Sequence, residues 1–334
     1  MSNFNNASEL LDWAFHALLK RAPSAHERQH LTEAINARSL TELQALVLII
    51  DGAEYQNSNA EYEFVPTGHF YSAVPSMADR RRILDRPAHT PPLPDIDLNH
   101  HAQMQLLRSF ERHYSDDLFA FDKCPERRYY ANNPAFSWHD AFILRAMIKS
   151  FHPQSIIEVG SGFSSGVTLD SIDDIDDYDP SVLFIEPFPE TLHQVLREED
   201  SGHYGLIDAP VQEVSLEKFT GLKADDILFI DSTHISKLGS DVNHLLLEIL
   251  PHLNSGVLIH IHDIFYPFEY PRDWIKQGRA WNEIYLVRAL LSATNRYKIV
   301  AFNHYLATTE ETFLVQAMPR LSAGNCGSLW LRIN

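Results

Sequence analysis

From Gln154 onward the chain alternates short apolar runs with helical patterns, and this alternation constrains its fold more than any other feature. The runs are SIIEVG, SVLFIEP, YGLIDAP, DDILFIDS and GVLIHIHD, with YKIVAFN and GSLWLRIN closing the series. Between them lie SSGVTLDSI, PETLHQVLREE, LGSDVNHLLLEILPHL and WNEIYLVRALLSA, whose apolar residues recur at helical spacing. Strands alternating with helices predict an α/β fold, an open, mostly parallel, doubly wound sheet with helices on both faces. Ligands of such sheets bind outside the carboxyl ends of the strands. The residues just after each strand are therefore the ones to examine.

One strand breaks the expected pattern. GVLIHIHDIF starts as a buried strand and then carries His260, His262 and Asp263. A polar group buried without a partner costs roughly 2–7 kcal/mol, so something must satisfy these three. His260 and His262 share a face by the period of two, and His260 lies deeper. His260 therefore reads as a hydrogen-bonded core histidine, and His262 and Asp263 as residues at the mouth of the cleft.

The rest of the chain is organised differently. Residues 7–57 predict three or four short helices, with Ser8 capping the first, Ser24 and Glu27 forming a capping box on the second, and Ser39 with Glu42 repeating that pattern. LLKRAPSAHE, SLTELQALVLI and the closing GAEYQN resemble a small bacterial helical domain that accompanies glycan-related proteins. That resemblance implies a docking module for a protein partner over residues 1–60. Residues 61–99 read as an irregular linker, because RPAHTPPLPDIDLN holds four prolines. The catalytic domain is expected over 100–334, opening with helices at 100–121 and 137–150, the second capped by Ser137 with Asp140 in its first turn.

Composition narrows the function classes. The net charge of −18, from 27 Lys and Arg against 45 Asp and Glu, repels nucleic acid and anionic membrane. The longest apolar runs fall short of the ~20 residues of a membrane span. Two cysteines, Cys124 and Cys326, argue for a reduced, cytoplasmic setting rather than a disulfide scaffold. The N-terminus lacks the basic start and apolar core of a leader. No motif encodes the oligomeric state, and a homodimer is one option.

The strand ends form a constellation. After the first strand, EVGSGFSSG supplies Glu158, Gly160, Ser161, Gly162 and Ser164, a tight turn that lets a ligand approach the backbone. After the second comes Glu186, an acid suited to the two hydroxyls of a ribose. After the third, Asp208 and Gln212 are candidates for a purine pocket. After the fourth and fifth come Asp231 with His234, and His262 with Asp263. Two carboxylates beside imidazoles suit either a divalent cation, magnesium first, or a proton-transfer network. The acidic run DSIDDIDDYDP reads as a solvated surface.

In IIEVGSGFSS, FIEP, ILFIDSTHISKLGSDVNHLLLEILPHLNSGVLIHIHDIF and YPFEYPRDWIKQGRAWNEIYLVRALL, the chain resembles the class I methyltransferases dependent on S-adenosylmethionine, in a bacterial branch related to small-molecule and sugar O-methyltransferases. The resemblance implies a seven-stranded Rossmann-like sheet whose last strand is antiparallel. It implies that Glu158, Gly160, Gly162 and Glu186 hold S-adenosylmethionine, with Ser161, Ser164, Asp208, Gln212 and Asp231 as further candidates for the same cofactor. It implies metal positions at Asp231 and Asp263, with His262 or His234 as substitute ligand or base where an amide is missing, since Ile264 follows the second acid. The expected catalytic residues are Asp231, His234 and His262. Tyr130, Asn133, Arg279, Trp281, Asn282 and Glu283 are candidates for binding a small-molecule or glycan acceptor. The competing readings are a nicotinamide-dependent oxidoreductase, a non-catalytic assembly protein and an iron-dependent hydroxylase.

Overall fold

The structure is a computed structural model that describes residues 6–19, 21–51, 64–86, 92–322 and 326–334. It divides into two compact units, residues 1–85 and 86–334. In the first, helices Ala7–Leu19, Ala25–Asn36 and Glu42–Asp51 enclose a small core of Leu11, Ala14, Phe15 and Ile49. Ser24 and Glu27 form the expected capping box. The other two caps differ from expectation. Asn6 Oδ1 accepts from the Glu9 amide, and Ser8 Oγ instead accepts from Arg28. Thr41 and Gln44 bond reciprocally at the third helix, while Ser39 donates back to the Ala34 carbonyl. In both cases a polar residue nearer the true helix start competes for the same free amides. GAEYQN lies outside the described residues. Within the segment read as irregular, Met77–Leu84 forms a helix on a Ser76–Asp79 capping box.

The second unit is built on a seven-stranded sheet. Its strands are β1 (Ser155–Val159), β2 (Ser181–Ile185), β3 (Gly205–Ile207), β4 (Ile227–Ile230), β5 (Leu258–Ile261), β6 (Tyr297–Phe302) and β7 (Leu329–Ile333), in the order β3-β2-β1-β4-β5-β7-β6. β7 runs antiparallel to both its neighbours, and every other pairing is parallel. All residues of β4 and β5 are buried, as strands covered on both faces must be. The chain leaves β1 toward β3, then crosses back to β4 beside β1. The crevice where strand order reverses therefore opens between β1 and β4.

Several expected elements are shorter than their patterns. The helix at 100–121 ends as His100–Phe110 with a 3₁₀ turn to His113, because Tyr114 turns extended before Ser115 and the two aspartates. Helix Trp138–Phe151 keeps its Ser137 cap. The acidic run is not simply a solvated surface. Asp170 is buried and accepts from the Arg128 and Tyr129 amides and from the Arg128 guanidinium, which also pairs with Asp173 and Asp200. The cluster ties the 122–136 loop to helix Phe163–Asp173. A buried guanidinium demands such partners.

Candidate active site

A cavity of about 460 Å³ opens at the carboxyl ends of β1, β2 and β4, a volume that suits a small-molecule ligand. Its wall includes Gly160, Glu186, Gln212, Asp231, Lys237 and Asp241. Gly160 makes the tight turn after β1 at φ +83°, and its amide donates to the Ile185 carbonyl at 3.0 Å. A Cβ there would lie 1.6 Å from the Asp231 carbonyl oxygen, so β1 and β4 meet where only glycine fits. Glu186 ends β2 with both carboxylate oxygens anchored: one accepts from the Ser161 amide at 3.0 Å, the other from the Phe188 amide at 2.8 Å. Burial pushes its pKa up, against those two bonds. The Gln212 side chain donates to the Gly239 carbonyl and closes the far side.

The other expected cofactor residues are placed differently. Glu158 is fully buried and accepts from the Ser164 and Ser165 hydroxyls at 2.6 and 2.8 Å. It braces the first turn of the following helix rather than lining the cavity, and Ser164 is spent on it. Burial pushes the Glu158 carboxyl up to about 8, more than the two hydroxyls pull it down. Its second oxygen and the Ser161 hydroxyl are buried without a partner among the described residues. The Gly162 amide donates to Ser165 Oγ and shapes the turn. Asp208 is exposed and outside the cavity, where Pro210, Val211 and Gln212 form the wall instead.

Beside the cavity, the ends of β4 and β5 bring four side chains together. His234 Nε2 lies 3.3 Å from Asp231 Oδ1 and 3.5 Å from Asp263 Oδ2, and His262 Nε2 lies 3.6 Å from Asp263 Oδ1. His234 Nδ1 is bonded at 2.9 Å to Glu283, which is buried at the start of the helix Glu283–Ala293. The His234 carbonyl accepts from the Asn282 and Glu283 amides, which holds the residue on a second side. His234 and Asp263 both sit in the left-handed region, at φ +59° and +57°. Strain of this kind in non-glycine residues persists where the surroundings over-determine it, and it clusters at active sites. Burial pulls the His234 pKa down, but the bonds to Asp231 and Glu283 outweigh it and raise the imidazole to about 10. Burial would raise Asp231, yet the His262 and His234 imidazoles hold it below the ordinary carboxylate range. His262 is raised despite its burial, by the charges of Asp231 and Asp263. His260 is the core residue its depth implied. It stacks 3.8 Å from Phe229, and its Nε2 is 2.8 Å from Ser328 Oγ.

A family model described as a methyltransferase domain matches residues 157–264, the span from β1 to just past β5. An uncharacterized protein from Archaeoglobus fulgidus is 33% identical over 170 residues, which are 48% of this chain and 75% of that one. The chain belongs to this methyltransferase family. Among solved structures, a putative O-methyltransferase from Klebsiella pneumoniae is 15% identical, covering 77% of this chain and 96% of that one at a TM-score of 0.38. An O-methyltransferase from Bacillus cereus in complex with SAH is 12% identical, with 77% and 97% covered at a TM-score of 0.36.

Among the described residues no group of three His, Cys, Asp or Glu side chains could hold a metal ion. His234 lies between Asp231 and Asp263 and is bonded on its other side to Glu283, and the bonds to Asp231 and Glu283 raise its pKa. The neighbouring carboxylates raise the pKa of His234 and of His262 alike.

The acceptor candidates on the rim divide into two groups. Asn133 uses both ends of its amide on the backbone of its own loop, at Tyr130, Ala135 and Phe136. Asn282 does the same at Ser236, and Glu283 serves His234. These three shape the site rather than meet a ligand, and their types alone could not reveal it. Tyr130 rests edge-on against Phe163. Trp281 packs 4.5 Å from the His234 ring, and Arg279 lies over Trp281.

Proposed function

We propose that the chain transfers a methyl group from S-adenosylmethionine to a hydroxyl of a polar small molecule, a sugar or glycan among the candidates, with the side chains at the ends of β4 and β5 placed at the accepting oxygen. One observation carries this reading. The Asp231–His234–Asp263 cluster stands at the ends of adjacent strands, and Asp231 also forms part of the cavity wall that holds Glu186.

When bound, S-adenosylmethionine supplies a methyl group on a sulfonium, an electrophile that needs no further activation. Glu186, with its carboxylate fixed by two backbone amides, is placed to accept from a ribose. The glycine turn and Gln212 line the same cavity for the rest of the nucleoside. The chain's main task is alignment of the accepting oxygen, which can lower a barrier by about 7–11 kcal/mol. Asp231 takes the hydroxyl proton. A carboxylate suffices, because the oxygen loses its basicity as the new bond to carbon forms. His234, held charged by Glu283, keeps Asp231 ionised and in place.

The test pairs binding with turnover. Calorimetry should detect S-adenosylhomocysteine and not NAD. Asp231→Ala should abolish methyl transfer while leaving S-adenosylhomocysteine binding measurable. Binding of NAD alone, or unchanged turnover in the variant, would sink the assignment.

A further inference from the structure

The helix Arg272–Gln277 ends at Gly278, which adopts φ +86°. The Gly278 amide bonds back to the Ile275 carbonyl and the Arg279 amide to the Trp274 carbonyl at 3.1 Å, the chain reversal of a glycine helix stop. This reversal lays the Arg279 side chain back over the helix it has just left. The guanidinium carbon stands 4.1 Å from the Trp274 ring centroid and 4.8 Å from that of Trp281. The Trp281 ring is in turn 4.5 Å from the His234 ring. A single indole thus separates an exposed guanidinium from the catalytic cluster.

The bonding of Arg279 is incomplete. Its Nε donates to Gln277 at 3.1 Å, and its two terminal nitrogens meet no hydrogen-bond acceptor or carboxylate among the described residues. Arg127, Arg128, Arg145 and Arg332 each hold at least one aspartate, whereas Arg279, like Arg108 and Arg320, lies over aromatic rings instead. Stacking on two indoles fixes the plane of the fork and leaves its outer donors free, the arrangement that reads a planar anion. A net charge of −18 repels an anionic ligand at long range, so such a ligand needs a local cation of this kind. Trp274 and Trp281 are half-buried and pack against Tyr270 and each other, which holds the apolar seat of the guanidinium rigid.

We propose that the acceptor is a hydroxy acid, whose anionic group pairs with the Arg279 guanidinium while its hydroxyl reaches Asp231 past the Trp281 ring. This rests on the methyl-transfer reading and names the substrate class of the same site. Sugar acids and aromatic hydroxy acids share the required chemistry, and the test separates them.

The full-length protein, with and without saturating S-adenosylhomocysteine, is titrated with two matched pairs: glucuronate against glucose, and 3,4-dihydroxybenzoate against catechol. At least one acid should bind tenfold or more tightly than its neutral partner, and the pair that shows this identifies the source. Arg279→Gln should collapse that ratio toward one, and Arg279→Lys should restore part of it, since charge returns without the fork. The S-adenosylhomocysteine affinity should stay unchanged in both variants. If neither acid binds more tightly than its neutral partner, or if Arg279→Gln keeps the preference, the proposal is wrong. Binding of S-adenosylhomocysteine without any acid preference defeats this proposal alone, whereas failure to bind it defeats the methyl-transfer reading.

Discussion

Replacing Gly160 by alanine should unhinge the site, and the structure sets the size of the effect. The added Cβ would fall 1.6 Å from the Asp231 carbonyl oxygen and 2.6 Å from its carbon. An ordinary carbon–oxygen contact is about 3.3 Å, so the two strand ends must separate by well over an ångström. The backbone there is held on both sides, by the Gly160 amide to Ile185 and by the Asp231 amide to the Val159 carbonyl at 2.8 Å. Losing those two bonds costs about 1 kcal/mol each, and a non-glycine residue at φ +83° adds about 1–2 kcal/mol. The expected loss is about 3–4 kcal/mol, a large share of the ~5–15 kcal/mol of a typical domain. Gly202→Ala is the control. It too has positive φ, at +95°, but nothing lies within 4 Å of its Cβ, so only the backbone penalty should appear. Urea unfolding followed by circular dichroism measures both variants, and calorimetry with S-adenosylhomocysteine on folded Gly160→Ala should show no measurable binding. Equal costs for the two glycines, or normal ligand affinity in Gly160→Ala, would refute the claim that the β1 and β4 ends meet too closely for a side chain.

The remaining predictions concern His234 and its support. The imidazole pKa is raised in the folded state, to about 10, so its stabilisation is fully present below its unfolded value near 6.5 and is lost as pH rises through about 10. Urea midpoints should therefore fall between pH 7 and pH 10, and a flat profile would contradict the charged imidazole. Glu283→Ala leaves the buried His234 Nδ1 without its partner, while Asp231 and Asp263 still face Nε2, and should cost about 1–3 kcal/mol. Glu283→Gln should cost less than half as much, because the amide can keep one hydrogen bond, and it should shallow the alkaline slope. Equal losses in the two variants would mean that the charge of Glu283 is immaterial.

Much of the fold is legible in local pattern. The apolar runs of β1, β2, β4 and β5 could be read directly, because a strand covered on both faces must be apolar over neighbouring residues. The glycine turn, Glu186 and Asp231 could be read for the same reason, since each directly follows its strand. The depth of His260 followed from the period of two. Short elements were misjudged where neighbours compete: Asn6 took the cap from Ser8, and Thr41 with Gln44 took it from Ser39 and Glu42.

What a side chain does at a strand end is another matter. Glu158 looked like a ligand-binding acid, and burial turned it into a brace for the next helix. The acidic run looked solvated until Arg128 was placed beneath it. His234 and Glu283 stand 49 positions apart, and Arg128 and Asp200 stand 72 apart. Local sequence carries the strand-forming segments, the positions of their polar ends and the residue types that gather there. Which of those residues touch, and whose pKa shifts, follows from strand order, helix placement and burial, because these set the partners and the local dielectric and none of them is a property of neighbours along the chain.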